Sequence, residues 1–232
     1  MKTTIQLIAA MILLAACSTI EEPVPTPSAA SVANLNSPAF GRIISTTPAS
    51  SLRGDAVFSL IVPDNNYGGI EDAHLYSWTQ NGQLNVNRVA LDFNLDEVPT
   101  DAVITKASIS LYFNPTSVYN PALVGEGHYG DTDFLISQIT SEWREGLVTW
   151  NTQPSTTSQN QVHVTTLLNA PTANYVNLDV TDLVQALVNE APEDRYGLML
   201  QFAQETPYKV LFFASSDHAQ TELHPKLVVA YY

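Results

Sequence analysis

The stretch "NRVALDFNLDEVPTDAVITKASISLYF" (87–113) decides the fold. In its first part Val89, Leu91, Phe93 and Leu95 point one way, and Arg88, Ala90, Asp92 and Asn94 the other. A period of two marks a strand with one buried face. "DEVPTDA" (96–102) is a turn-rich link. In "VITKASISLYF" (103–113), Ile104, Ile109, Leu111 and Phe113 partly alternate with Thr105, Ser108, Ser110 and Tyr112, around a small Ala107. Two half-buried strands joined by a short link are the unit of an antiparallel sheet.

The flanks repeat the pattern. "AVFSLIV", "AHLYSW", "FLISQI", "QVHVTTL", "YVNLDV", "YGLMLQF", "VLFFAS" and "KLVVAYY" are further short strands between turn residues. "VTDLVQALVNEAP" (180–192) differs, because Leu183, Val184, Leu187 and Val188 recur at helical spacing. Thr181 is placed to cap its start, and Pro192 lies past its end. About ten short strands predict an all-β, two-sheet sandwich of jelly-roll type with one short helix. The domain is expected to span 52–232, long enough to bury about 70% of its unfolded surface without a disulfide. No internal repeat interrupts it.

The single cysteine, Cys17, stands at the end of "LLAAC". Before it come Met1-Lys2 and an apolar run of about a dozen residues, shorter than the roughly 20 that span a bilayer. This is the layout of a secretory leader. Its ending resembles the lipobox of bacterial lipoproteins, which implies cleavage after residue 16 and acylation at Cys17. The alternative is an ordinary leader with Cys17 an incidental neighbour. Several acyl chains hold a protein firmly where one does not. Ser18 in place of an Asp favours the outer membrane in enterobacterial-type sorting. The expected location is therefore the bacterial envelope, at the outer membrane or cell surface, with membrane contact through the lipid alone. Residues 17–51 are assigned to a Pro, Ser and Thr-rich disordered tether, its last dozen residues being ambiguous.

Composition narrows the partners. The chain carries a net charge of −14, and its few basic residues are scattered singly. Nothing here neutralises a row of phosphates, so nucleic acid is excluded. With 45% hydrophobic and 14% charged residues the composition is globular.

Five stretches taken in order resemble a known family. They are "GDAVFSLIVPDNNYGG" (54–69), the opening stretch, "EWREGLVTWNTQP" (142–154), "LDVTDLVQALVN…YGLML" (178–200) and "FFASSDHAQTELHPKLVVAYY" (212–232). The order and spacing resemble the DNRLRE domain, grouped with family 96 carbohydrate-binding modules. That resemblance implies a β-sandwich, a non-catalytic role and binding of polysaccharides, alginate among them.

The residues themselves point the same way. "SSDH" (215–218) sets Ser, Asp and His side by side, but a triad needs them to converge from separate elements. Glu142 and Glu145 flank Arg144, and ion pairing with it is preferred over glycosidic acid–base chemistry. The five histidines are dispersed without zinc-ligand spacing. For a structural Ca²⁺, Glu126, Asp131 and Asp133 are the candidates, in "GEGHYGDTD"; Asp64, Asn65 and Asn66 gather similarly. Turns demand the same residue types, and the turn reading is preferred.

Glycans pack their C–H faces on exposed rings beside amides and carboxylates. Tyr67, Trp78, Tyr119 and Tyr129 are the binding candidates, with Tyr76 and Tyr208 in similar polar settings. Trp143 and Trp150 are expected in the core. From residue 52 onward seven basic and 21 acidic side chains leave a net of −14, so a neutral glycan is favoured over a polyanion. The reading from sequence is non-catalytic polysaccharide binding. The alternative is a structural or adhesive envelope protein that contacts proteins.

Overall fold

The computed structural model describes residues 41–48, 53–119 and 127–232. They form eleven strands: β1 (Arg42–Thr46), β2 (Asp55–Ser59), β3 (Asp72–Gln80), β4 (Gln83–Leu91), β5 (Ile104–Leu111), β6 (Phe134–Ile139), β7 (Thr156–Val164), β8 (Tyr175–Asp179), β9 (Leu198–Phe202), β10 (Lys209–Ala214) and β11 (Lys226–Tyr231). Among the described residues one α-helix, α1 (Thr181–Asn189), lies between β8 and β9. One sheet has the order β1-β11-β5-β8, and the other β10-β3-β4-β9-β6-β7 with β2 also on β4. The expected β-sandwich with one short helix is what forms.

The opening stretch behaves as its alternation predicts. Val89 and Leu91 of β4 are fully buried, and so are Ala107, Ile109 and Leu111 of β5. Between them the chain turns, Val98 N–H donating to Leu95 O and Ala102 N–H to Pro99 O, both at 3.0 Å. The main core joins both sheets: Phe134, Ile136, Leu200 and Phe213 of the larger meet Ile109, Leu227 and Val229 of the smaller. Helix α1 adds Leu183, Val184, Leu187 and Val188, the four residues its spacing marked.

Two details depart from the sequence reading. First, β1 lies upstream of residue 52 and pairs in register with β11. "RIIST" is mostly exposed, so it joins the sheet through backbone hydrogen bonds, which leave no apolar pattern to read. Second, Thr181 does not cap α1. Val180 holds the N-cap position, and the Thr181 hydroxyl donates to Asp179 Oδ1 at 2.6 Å. Thr181 Oγ1 in turn accepts the Ala107 N–H at 3.0 Å, so the threonine joins the helix to β5 instead of closing its first turn.

A second core lies on the other face of the larger sheet. Ala56, Phe58, Ala90, Ile139 and Met199 are covered there by Trp143 and Val148, with Trp150 packed against them. The Trp143 ring N–H donates to Tyr196 O at 2.9 Å. Trp150 carries the Arg88 guanidinium 4.8 Å from its ring centroid, and Glu205 takes Arg88 in a fork at 2.7 and 2.9 Å. Both tryptophans thus serve packing, as expected.

Candidate functional site

A groove of about 470 Å³ opens where β2, β3 and β4 meet the 61–70 segment and Tyr119. The β3–β4 hairpin builds its wall. Asn81 and Gly82 have φ of 53° and 78°, the geometry of a two-residue type I′ turn. That turn fixes the register, placing Trp78 opposite Asn85 and Tyr76 opposite Asn87. Paired residues share a face, so two rings and two amides stand together. β2 sets Ser59 opposite the same Asn87 from its other side.

Tyr67 reaches the groove because the Val57 N–H donates to its carbonyl at 3.3 Å, pinning the loop to β2. Tyr119 closes another side. Its backbone N–H donates to Ser117 Oγ at 3.3 Å, and its ring lies 4.8 Å from that of His74. Burial, then the nearby Asp72, pushes the Tyr119 phenol above its usual range. His74 is buried at the groove floor, and desolvation drives its pKa down to about 4, so the ring is neutral at physiological pH.

At the rim the aromatics form a cluster. Trp78 stacks on Tyr76 with centroids 6.3 Å apart, packs against Tyr129 at 5.8 Å and meets Tyr208 edge-on at 5.2 Å. Tyr129 is held there by two backbone bonds with Val210, at 3.0 and 2.9 Å. Tyr208 has φ +74°, an uncommon conformation for a bulky residue, and its ring is 54% exposed. Tyr67, Trp78 and Tyr119 therefore line one groove, and Tyr129 adjoins it through Trp78. The sequence reading missed His74, Asn85 and Asn87. The Asn81-Gly82 turn was the signal that would have found the two amides, since it alone sets their register.

The other candidates resolve differently. Cys17 and Glu126 lie outside the described residues. Asp131 and Asp133 both accept from Thr166 Oγ1, at 3.1 and 2.8 Å, and Asp133 also accepts the Thr166 N–H at 2.7 Å. Those hydrogen bonds hold the Asp133 carboxyl below its usual range and tie both carboxylates to the distant Thr166. Glu142 pairs with Arg144 at 3.3 Å, as expected. Glu145 Oε1 accepts the Asp55 N–H at 3.1 Å. Asp55, Glu145 and Asp217 each offer an oxygen within 4.8 Å of the others, a set of hard donors that could hold a cation. In "SSDH", Ser215 Oγ donates to Ile70 O at 2.6 Å, while His218 Nε2 meets Thr116 Oγ1 at 2.9 Å. Those side chains fasten loops and do not converge on a substrate position.

An antiparallel sandwich with rings and amides gathered in one open groove has the make-up of a carbohydrate-recognising binding module. The model of carbohydrate-binding module family 96 matches residues 50–231, and the chain belongs to that family. No curated protein matches the chain.

Proposed function

We propose that this chain is a lipid-anchored envelope protein whose sandwich holds a neutral polysaccharide without cleaving it. The observation that carries the ligand class is the groove lining. Among the described residues it combines Tyr67, Tyr76, Trp78 and Tyr119 with Asn85, Asn87 and Gln80, and it contains no Lys, Arg, Asp or Glu. Ring faces suit sugar C–H faces, and amides suit hydroxyls. A polyanion finds no cation in the lining and meets a protein whose net charge is −14. The anchor rests on the lipobox-like ending of the leader, just before Cys17.

Affinity electrophoresis of the full chain in mild detergent tests the binding. Neutral glucans, mannans and galactomannans are expected to retard it more than alginate or polygalacturonate. Trp78→Ala removes the ring that three others pack against, and is expected to weaken retardation at least tenfold. If no polysaccharide retards the chain, an envelope protein that contacts proteins becomes the better reading. Labelled palmitate incorporated by the wild type and not by Cys17→Ser would establish the anchor; equal labelling of both would remove it.

A further inference from the structure

We infer that Tyr129 and Tyr208 form a second sugar-binding surface continuous with the groove, so that the ligand is a run of several sugars and not a single one. This deepens the binding reading above and rests on it. The four most exposed aromatic side chains among the described residues are Tyr119, Tyr129, Tyr208 and Tyr232, at 37%, 51%, 54% and 55%. Tyr119 lines the groove, and Tyr129 and Tyr208 both touch Trp78 at its rim. Rings that serve only packing are covered, as Trp143 is at 4% exposure.

Strand register carries the groove outward. Val210 of β10 lies opposite Tyr76 of β3 on one side and bridges to Tyr129 on the other. Directly paired residues share a face, so Tyr76, Val210 and Tyr129 form a row across the sheet. Val210 is fully buried in that row, and Trp78 packs on the cluster it makes with Tyr76. Thr79, which lines the groove, has its Oγ1 3.5 Å from the Tyr208 hydroxyl. Trp78 is therefore the middle of an aromatic surface and not its end. From its ring centroid the steps are 6.3 Å to Tyr76 in the groove, 5.8 Å to Tyr129 and 5.2 Å to Tyr208. Each step is comparable to the length of one sugar unit in a chain.

Two backbone features hold the tyrosines in place. Gly130 has φ +86°, and a side chain there would strike the Tyr208 carbonyl. Glycine thus lets the segment bearing Tyr129 lie against the Tyr208 backbone. Tyr208 itself has φ +74°, a conformation that glycine or asparagine adopts with less strain. Strained residues persist where their surroundings over-determine them, and they gather at ligand clamps. A ring fixed before binding loses little freedom when a sugar packs on it.

The test is a ladder of gluco- or manno-oligosaccharides, from disaccharide to octasaccharide, with the linkage of the polysaccharide that retards wild type. Affinity for the full chain in mild detergent is read by calorimetry. Wild type is expected to gain at least about tenfold from the shortest binder to the longest. The double variant Tyr129→Ala, Tyr208→Asn removes both rings, and asparagine suits the left-handed backbone, so the fold is kept. Its gain along the ladder is expected to fall below about threefold, with the short oligosaccharides bound as by wild type. Tyr129→Phe, Tyr208→Phe retains both ring faces and is expected to retain the gain. A ring-less variant that keeps the full gain overturns the assignment. So does one that loses short and long oligosaccharides alike, because the tyrosines then only support Trp78. A wild-type affinity that is flat along the ladder overturns it too, and leaves the groove reading intact. Wild type that binds no polysaccharide and no oligosaccharide removes the binding reading and this inference with it.

Discussion

Arg195→Met will lower the melting temperature by about 10–15 °C, read by circular dichroism at neutral pH. Arg195 is 6% exposed, and among the described residues its guanidinium has no carboxylate partner. Instead it donates to backbone on two sides. Nη1 reaches Leu95 O and Val98 O, each at 3.0 Å, while Nη2 reaches Val188 O at 3.1 Å and Nε reaches Glu190 O at 3.3 Å. Thr100 Oγ1 takes a further bond at 3.2 Å. The side chain thus joins the end of α1 to the link between β4 and β5. Methionine fills the alkyl volume but leaves the buried carbonyls unpaired, at about 1–3 kcal/mol each. A total near 4 kcal/mol converts to the stated shift at roughly 2–4 °C per kcal/mol for a domain of this size. Arg195→Lys restores charge but not the fork, and is expected to recover less than half. A loss below about 3 °C for Arg195→Met would show that water or rearrangement satisfies those carbonyls.

Asp55→Asn will stabilise the protein at pH 8 in EDTA, and the gain will shrink by about 2–3 kcal/mol on going to pH 5. Asp55 is 3% exposed and accepts the Ser216 N–H at 2.6 Å. Burial, opposed by those Ser216 bonds and reinforced by Asp217 and Glu145, pushes its pKa up to about 7. The sign follows from proton binding. Between the ordinary carboxylate range and pH 7 the folded state holds a proton that the unfolded state has released. Acid therefore stabilises through this group, and the benefit is lost as pH rises through 7. Asparagine is neutral throughout, accepts the same N–H, and can donate to Glu145 or Asp217. The comparison is between variant and wild type at each pH, because other groups titrate too. Burial also raises Asp92 to about 6, whereas His74 and His128, held near 4, oppose it by favouring unfolding in acid. A difference between variant and wild type that is flat from pH 8 to pH 5 would contradict a raised Asp55. EDTA keeps divalent cations from neutralising the three carboxylates.

The pH prediction also shows where sequence reading stops. Val89, Leu91, Ile109 and Leu111 declared their strands because alternation is a local property. The spacing of Leu183 to Val188 declared a helix for the same reason. Tyr67, Trp78 and Tyr119 were legible as rings in polar, turn-rich segments, and the fold brought them to one groove. His74 and Asn87 were not, because a polar residue inside a strand carries no sign of whether it faces solvent or a buried floor. Only the Asn81-Gly82 turn encoded part of that answer, through register. Asp55, Glu145 and Asp217 come from β2, the loop before β7 and the turn after β10, and no local pattern links them. Strand β1 was missed because it is mostly exposed, with only Ile44 packed on the core, so backbone pairing holds it more than any apolar pattern does. Thr181 was misread because its hydroxyl had a tertiary partner to choose.

The place of β11 has a consequence in time. It follows every other described strand in the chain, yet it lies inside the smaller sheet, with β1 on one side and β5 on the other. Until β11 docks, β1 has no neighbour in that sheet and β5 has only β8. Such long-range closure is slow, and a chain lacking it keeps unpaired edges and apolar faces open. The smaller sheet is thus the late step of folding, because the strand that joins its two parts must be fetched from the far side of the sequence.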